Sequence, residues 1–452
     1  MKKIKTLIIS IYFFALGPIY ANNPIDVIGK DAMSIGIYIE DLNTNKILHN
    51  YQCQKVYTPA STTKAITVAT ALSTLNANFR FETPVYISGI IKDNTLYGDI
   101  IIYGVGDPTI ESAHFSQNKG FCDSIINSLK EKNINRIEGR CRFFAKNFNP
   151  NCGVNPNWEI EDIAWGYGTG LHEFNYKDNI FNLTYNDSIL ITNPYVKDLS
   201  IINLPAIGSD NIELMRPFNS NDLYIVGNIN GKYQRTCSTP FPQDIFYDEF
   251  ISLLKKEDIE FIESEIEIAD NSPKLLLYTH KSPKLIDILK DLMIRSDNLF
   301  AESILRLTSP GKSTNHAINA ELATWEKRGL NTQFTTILDG SGLARANRIS
   351  PNFMANILKW MYNSEYCDLY TNCFPRSGID GTLKNFLKKT HLEGKLALKT
   401  GSMNGVQCYA GYKLNDCLRP THIVVIMVNN FYCKRSELKA TIENFLLETF
   451  KD

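Results

Sequence analysis

The stretch 61-STTKAITVATALSTL-75 places a serine and a lysine three residues apart at the start of a small, apolar, helix-forming run. Residues i and i+3 lie on one face of a helix, so the amine of Lys64 can reach the hydroxyl of Ser61. The positive helix N-terminus and burial favour a neutral amine, which can accept the serine proton. A helix cap is the alternative interpretation of Ser61. Because Ser-x-x-Lys occurs five times in the chain, the remaining sequence has to decide.

The composition is that of a globular protein with room for two or three domains. The chain has 452 residues, of which 44% are hydrophobic and 21% charged, and its formal net charge is −1. This charge gives no indication of a nucleic-acid partner or of an anionic surface. The function therefore has to be inferred from a site.

Residues 1–21 are predicted to be a cleaved export signal. Three lysines, Lys2, Lys3 and Lys5, precede the apolar run 6–20, and Ala21 offers a small residue for cleavage. A membrane anchor is the alternative, but the run is short and interrupted by Gly-Pro. We therefore expect an extracytoplasmic protein.

The cysteines fit such a compartment, where disulfides persist. The sequence contains ten cysteines and no Cys-x-x-Cys pair, so a zinc site is not predicted. Local bridges between Cys122 and Cys141, Cys367 and Cys373, and Cys408 and Cys417 are plausible, and free buried thiols are the alternative.

Both ends of the chain combine antiparallel strands with helices. Residues 34–54 alternate around a turn, as in a hairpin, and the last hundred residues contain three strand patterns followed by an amphipathic helix. Residues 81–270 consist instead of short β-rich runs. The economical interpretation is one α+β domain made of both ends, with β-rich modules inserted between them.

Two further motifs complete the Ser-x-x-Lys signal. Ser296-Asp297-Asn298 lies within the helical run 283–307 and offers a hydroxyl that can relay a proton; a second Ser-Asp-Asn copy, at Ser209, is expected in a surface turn. Lys399-Thr400-Gly401-Ser402 occurs on the alternating run 396–405, where a cation and hydroxyls on an edge strand suit a terminal carboxylate. Glycine lets a substrate backbone approach the strand. The N–H groups of Ser402 and Ser61 are candidates for an oxyanion hole.

Each motif alone has an ordinary interpretation as a helix cap, a solvated helix face or a strand lysine. Together and in this order they match the motif set of class A β-lactamases and penicillin-binding proteins. The chain resembles the penicillin-binding protein 4 family, the DacB-type D-alanyl-D-alanine carboxypeptidases and endopeptidases. The separation of 235 residues between Ser61 and Ser296 supports this resemblance. Four stretches are also similar to family segments: GDIIIYGVGDPT (98–109), NWEIEDIAWGYGTG (157–170), DGSGLARANRISP (339–351) and GIDGTL (378–383).

The resemblance implies an α+β, serine β-lactamase/DD-peptidase-like domain, with helices on both sides of an antiparallel sheet. It also implies two inserted β-rich domains. The expected limits are 22–80 and 281–452 for the peptidase domain, 81–160 and 236–280 for the first insertion, and 161–235 for the second.

The resemblance also implies a role for each site residue. Ser61 is the expected acyl-enzyme nucleophile, Lys64 its base and Ser296 the proton relay, while Asn298 holds a substrate amide. The terminal carboxylate is expected on the strand motif, formed by Lys399, Thr400, Gly401 and Ser402. The cleft wall is expected to include Ser341, Leu343 and Arg345. The peptide side chain upstream of the cut is expected to meet Asp162, Tyr167, Arg345, Met403 and Asn404.

The expected reaction is acyl transfer from peptidoglycan stem peptides, without a metal or an organic cofactor. β-Lactams are expected as inhibitors, and the periplasm as the location. A β-lactamase of the same fold is one alternative, although its nearest candidate base, Glu326, is one residue out of register. An inactive peptidoglycan-binding scaffold is the other. The sequence leaves peripheral membrane association, oligomeric state and the balance of carboxypeptidase to endopeptidase activity open.

Overall fold

A computed structural model of the protein describes residues 30–146, 153–186, 189–205, 212–229, 231–264 and 274–451. The expected export signal, the second Ser-Asp-Asn copy and Cys152 lie outside these residues.

The strands account for most of the regular structure in the middle of the chain. In chain order, those within the described residues are β1 (Ser34–Asp41), β2 (Ile47–Tyr51), β3 (Glu82–Lys92), β4 (Thr95–Gly104), β5 (Arg136–Gly139), β6 (Cys141–Ala145), β7 (Ile180–Asn186), β8 (Ile189–Asn193), β9 (Ser200–Leu204), β10 (Glu213–Met215), β11 (Asp222–Val226), β12 (Tyr233–Ser238), β13 (Glu260–Glu263), β14 (Lys274–Lys281), β15 (Leu396–Met403), β16 (Val406–Leu414) and β17 (Pro420–Asn429).

The α-helices concentrate after β14. In chain order, those within the described residues are α1 (Thr63–Thr74), α2 (Phe121–Glu131), α3 (Pro242–Lys256), α4 (Leu285–Arg295), α5 (Asn298–Leu307), α6 (Thr314–Lys327), α7 (Pro351–Tyr362), α8 (Cys367–Thr371) and α9 (Arg435–Thr449). Among all the residues that the structure describes, no helix has the length and apolar character needed to cross a membrane.

The two ends of the chain meet in one antiparallel sheet, ordered β15-β16-β17-β1-β2. Successive side chains of a strand point to opposite faces. Along the central strand β17, Val425 and Met427 enter one core, whereas Val424 and Ile426 enter the other. The first core contains α1 and α4 to α7, and the second contains α9. The expected α+β domain with helices on both sides of the sheet is confirmed.

Helix α1 lies at the centre of the first core. Its residues Ala65, Ile66, Val68 and Leu72 are fully buried, and it packs against α4, α5, α6 and α7. A helix that is apolar on all sides belongs in the interior. The N-terminal end of α1, where Ser61 and Lys64 lie, is thereby held in a fixed position.

The helical run 283–307 is broken, although the apolar spacing continues through it. α4 ends at Arg295, its C-terminal cap Ser296 adopts a left-handed conformation with φ of 64°, and α5 begins after Asp297. The Asp297 carboxylate caps α5 by accepting the N–H of Phe300 at 3.0 Å. The break moves the Ser-Asp-Asn motif off a continuous helix face and into a tight junction between two helices.

The middle of the chain forms three further sheets. β3 to β6, β13 and β14 form a six-stranded sheet covered by α2 and α3. β7, β8 and β12 form one three-stranded sheet, and β9 to β11 form another. The limits given above for the two inserted domains remain predictions.

None of the three plausible cysteine bridges is present: all nine cysteines in the described residues are free thiols. Cys408 is buried with its Sγ 3.5 Å from the carbonyl oxygen of Thr58, whereas Cys417 is exposed in a turn. Cys373 donates to the carbonyl oxygen of Leu369, one helical turn earlier. The alternative of free, mostly buried thiols is the one that the structure adopts.

Candidate active site

The three motifs converge on one cleft of about 480 Å³ between the helices, the edge strand β15 and the inserted segment 161–167. Its lining residues are Ser61, Glu161, Asp162, Tyr167, Ser296, Asn298, Gly342, Leu343, Arg345, Thr382, Thr400, Ser402, Met403 and Asn404.

Ser61 lies in a single 3-10 turn, residues 60–62, immediately before α1. The residue that caps α1 is Thr62, so the cap interpretation of Ser61 is wrong. Lys64 is fully buried, and its Nζ donates to Ser61 Oγ at 2.9 Å. The same amine donates to Asn298 Oδ1 and to the carbonyl oxygen of Ser341, each at 2.6 Å. The serine thus faces the cleft, with its candidate base fixed beneath it.

Burial controls the protonation of the two lysines. It lowers the pKa of Lys64 to about 8, although the carboxylates of Asp339, Asp297 and Glu302 oppose this shift. Burial also holds the pKa of Lys399 well below its usual range, and the positive charge of Lys64 adds to this effect. Lys64 is thereby available as a proton acceptor near neutral pH.

The Ser-Asp-Asn motif bridges the two lysines. Ser296 Oγ accepts from Lys399 Nζ at 2.8 Å, whereas Asn298 Oδ1 is the acceptor for Lys64. Asn298 Nδ2 donates to the carbonyl oxygen of Tyr167 at 2.8 Å, which ties the inserted segment to the site. The left-handed backbone of Ser296 costs on the order of 1–3 kcal/mol, and such strain is typical of functional sites.

Gly401 allows β15 to pack directly against the turn that carries Ser61. A Cβ atom at this position would lie 2.4 Å from the carbonyl oxygen of Pro59 and 3.1 Å from the amide nitrogen of Ser61. We expected the glycine to make room for a substrate backbone. The structure shows that it makes room for the chain itself, and it places the Ser61 amide beside β15.

The segment 339–351 is organised around Asp339, which is fully buried. Its carboxylate accepts from the amides of Gly342 and Ala344, at 2.9 and 2.7 Å, and from the Ser341 hydroxyl at 3.1 Å. It also accepts from Trp158 Nε1 of the inserted segment at 2.9 Å. These contacts hold the backbone of Ser341 in place for its carbonyl oxygen to meet Lys64.

Ser341 was expected on the cleft wall, but its side chain is fully buried. Instead, Gly342 lines the cleft, with φ of 81° and an ideal Cβ position only 2.0 Å from the carbonyl oxygen of Ala60. Glu302 supports the same loop from α5, since its Oε1 accepts the amides of Gly340 and Ser341 at 3.0 and 2.9 Å. Burial raises the pKa of Glu302 to about 8.

The far end of the cleft is acidic. The Tyr167 hydroxyl donates to Asp162 Oδ1 at 2.8 Å, and Arg345 Nε pairs with Glu159 Oε1 at 2.8 Å. Burial raises the pKa of Asp162, and a hydrogen bond with Glu159 is the main cause of the raised pKa of Glu161. Three carboxyl groups therefore surround one guanidinium.

Most predicted site residues meet in the cleft, and four lie beneath its surface: Lys64, Ser341, Lys399 and Gly401. The sequence missed three lining residues: Glu161, Gly342 and Thr382. Thr382 belongs to the stretch GIDGTL, for which the sequence predicted no role. Its Oγ1 accepts a hydrogen bond from Thr400 Oγ1 at 2.8 Å. Asp339, Glu302 and Glu159 were missed as supporting residues.

Among the described residues, no group of three or more His, Cys, Asp or Glu side chains is placed to hold a metal ion.

Comparisons with known proteins place this geometry among peptidases. Residues 25–446 match the model of the D-Ala-D-Ala carboxypeptidase 3 (S13) family. The chain is 25% identical to the D-alanyl-D-alanine carboxypeptidase DacB of Haemophilus influenzae, covering 92% of this chain and 91% of the relative. It is 24% identical to the penicillin-sensitive carboxypeptidase A of Dictyostelium discoideum, covering 87% and 82%. The crystal structure of penicillin binding protein 4 from Haemophilus influenzae superposes with a TM-score of 0.78 at 22% identity, covering 95% and 98%.

The close approach at Gly401 predicts a steric effect of Gly401→Ala. The added methyl group pushes β15 away from the turn that holds Ser61, and a displacement of about 1 Å at a reacting group can cost about 100-fold in rate. We expect the rate of Ser61 acylation by benzylpenicillin to fall by about that factor, measured by intact mass over time. Gly329→Ala is the control: its added methyl group meets no atoms within 4 Å, its strain comes only from a left-handed backbone with φ of 85°, and it should acylate normally. Normal acylation of Gly401→Ala would show that the contact does not position Ser61.

Proposed function

The chain belongs to the D-Ala-D-Ala carboxypeptidase 3 (S13) family, and from this premise we propose that Ser61 is its nucleophile, acting on the D-Ala–D-Ala bond of peptidoglycan stem peptides. The protein is a serine-type D-Ala-D-Ala carboxypeptidase that binds penicillin. The observation that carries the residue assignment is the fully buried Lys64 amine, 2.9 Å from Ser61 Oγ.

In the first step, Ser61 Oγ attacks the carbonyl carbon of the penultimate D-alanine. The neutral amine of Lys64 accepts the serine proton as the bond forms. The amides of Ser61 and Ser402 stabilise the negative charge on the carbonyl oxygen, and removing one such donor typically costs about 10²–10³ in rate. Asn298 and the carbonyl oxygen of Ser341 orient Lys64 throughout.

The terminal carboxylate of the substrate binds at β15. Lys399 supplies the positive charge once the carboxylate is bound, because a nearby anion favours the ammonium form. The hydroxyl groups of Thr400 and Ser402 supply donors on the cleft side. Lys399 Nζ already donates to Ser296 Oγ, so Ser296 stands between the carboxylate site and the scissile nitrogen. It passes a proton to the departing amine as the C–N bond breaks and is reprotonated with the proton that Lys64 accepted, so that both groups return to their starting state. Water then hydrolyses the Ser61 ester and releases the shortened peptide.

The acidic end of the cleft selects the peptide side chain upstream of the cut. Asp162 faces the cleft beside Glu161, while Arg345 already pairs with Glu159. Such a wall suits a side chain that ends in an amine. Tyr167, Met403 and Asn404 complete this part of the lining.

The peptidoglycan substrate places the reaction outside the cytoplasm. A periplasmic location and a cleaved signal at 1–21 complete the proposal. Cleavage of D-alanyl cross-links is part of the same proposed activity, because only the leaving group differs.

The first prediction from the proposed function concerns the nucleophile. After incubation of the mature protein with benzylpenicillin, intact-mass analysis should show a single stable adduct on the wild type and none on Ser61→Ala, since the ester forms on this hydroxyl. Ser309→Ala, at another Ser-x-x-Lys sequence, is the matched control and should retain the adduct. If the wild type forms no adduct and the penicillin stays intact, the protein is an inactive scaffold. If the wild type forms no adduct but the penicillin is consumed, the protein is a β-lactamase.

The second prediction concerns pH. Because the pKa of Lys64 is lowered to about 8, the amine is protonated and inactive as a base below this value, and neutral above it. The acylation rate constant of Ser61 should therefore rise between pH 6 and pH 9, with a midpoint of about 8. Stopped-flow measurement with a chromogenic cephalosporin gives the profile. A rate that is constant over this range would exclude Lys64 as the titrating base.

The third prediction concerns the acidic wall. Asp162→Asn removes a charge from the side-chain pocket, and a hydrogen bond to a charged group is worth about 1.5–3 kcal/mol. We expect KM to rise about 10-fold for an acyl-Lys-D-Ala-D-Ala peptide with a free side-chain amine. The same peptide with an acetylated amine should be unaffected. Asp416→Asn, at a surface ion pair, is the control. An equal change of KM for both peptides would show that Asp162 does not contact the amine.

A further inference from the structure

The cleft does not end at the carboxylate site. A second cavity of about 390 Å³ lies beyond it, bounded by the turn 381–386, by β15 and β16, and by α9. Three residues line both cavities: Thr382, Thr400 and Ser402. The hydroxyl groups assigned to the substrate carboxylate therefore stand at the junction of the two cavities.

The second cavity is basic at its mouth. Lys384 lies on the turn and Lys439 on α9, and both side chains are exposed. Neither forms an ion pair with another described residue, so both ammonium groups are available to a ligand. The main cleft has the opposite character at its far end, where Glu159, Glu161 and Asp162 gather.

The floor of the second cavity contains an unsatisfied polar group. Tyr409 is 1% exposed, and its hydroxyl has no hydrogen-bond partner among the described residues. Its ring stacks on Phe386 with 4.9 Å between centroids, which fixes its direction. Glu443 lies nearby and accepts the amide of Leu387 at 3.0 Å. Buried polar groups are normally hydrogen-bonded, so this hydroxyl indicates a place for a polar ligand.

We propose that this second cavity binds the leaving-group peptide of a cross-linked substrate. The inference rests on the proposed function and adds a subsite to it. Free D-alanine, as a leaving group, has only a methyl group in addition to its amine and carboxylate, so it does not fill such a cavity. The leaving group of a cross-link carries a whole stem peptide, whose further carboxylates pair with Lys384 and Lys439.

The chemistry is that of the carboxypeptidase reaction. Ser61 Oγ bonds to the D-alanyl carbonyl carbon, and the C–N bond to the cross-linking amine breaks. The amine departs with the proton delivered through Ser296, still attached to its peptide. Water then hydrolyses the ester. The second cavity holds the departing peptide in register until the C–N bond has broken.

The test compares two purified substrates, a monomeric stem pentapeptide that ends in D-Ala-D-Ala and a cross-linked tetrapeptide dimer. In Lys384→Ala/Lys439→Ala, we expect kcat/KM for the dimer to fall about 10-fold, since two charge contacts are lost. The value for the pentapeptide should stay within about twofold. Charge reversal, Lys384→Glu/Lys439→Glu, should lower dimer cleavage further, and added salt should reduce it in the wild type.

The matched control is Lys388→Ala/Lys434→Ala, which removes one exposed lysine after the turn and one at the start of α9, both outside the two cavities. It should cleave both substrates like the wild type. Equal losses on both substrates in the Lys384/Lys439 variants, or no loss on the dimer, would overturn the subsite. So would a wild type that cleaves the pentapeptide through Ser61 but never the dimer. A wild type inactive on both substrates would overturn the proposed function, and the subsite with it.

Discussion

The site depends on one buried amine. Lys64 has no contact with bulk water, so its hydrogen-bonding capacity has to be met inside the protein. Its three acceptors come from three distant stretches: Ser61 before α1, Asn298 at the start of α5, and the carbonyl oxygen of Ser341. Nearby carboxylates offset part of the cost of burying the amine, and Asp339 is the most connected of them. The amine can therefore be placed correctly only when the whole peptidase domain has assembled.

The position of Lys64 is also linked to the inserted part of the chain. Asn298 donates to the carbonyl oxygen of Tyr167, and Asp339 accepts from Trp158 Nε1. The residues that hold Lys64 and the loop 339–351 thus also hold the segment that forms the acidic wall. A substrate side chain that meets this wall is consequently read by a surface that is fixed relative to Ser61, which is the preorganisation that efficient acyl transfer requires.

Charge divides the cleft into two ends. Carboxylates surround Arg345 at one end, whereas Lys399 on β15 and then Lys384 and Lys439 lie toward the other. In the proposed reaction, this field would align a peptide that bears an amine on one side of the scissile bond and carboxylates on the other before any close contact forms. The middle of the cleft, between the two ends, contains the neutral hydroxyls of Ser61 and Ser296, where the proposed reaction breaks the bond.

The family resemblance implied that the three motifs share one cleft. The sequence patterns by themselves determined the hairpin of β1 and β2, the helix α1 and the strand that carries Lys399. These follow from local rules, because i, i+3 spacing and strict alternation fix which side chains share a face. Only the tertiary structure decided that the helical run breaks at Ser296, that Gly401 serves the packing of the chain, that the described cysteines stay free, and that Thr382 joins two cavities. Each of these depends on contacts between residues far apart in sequence, which local patterns do not encode.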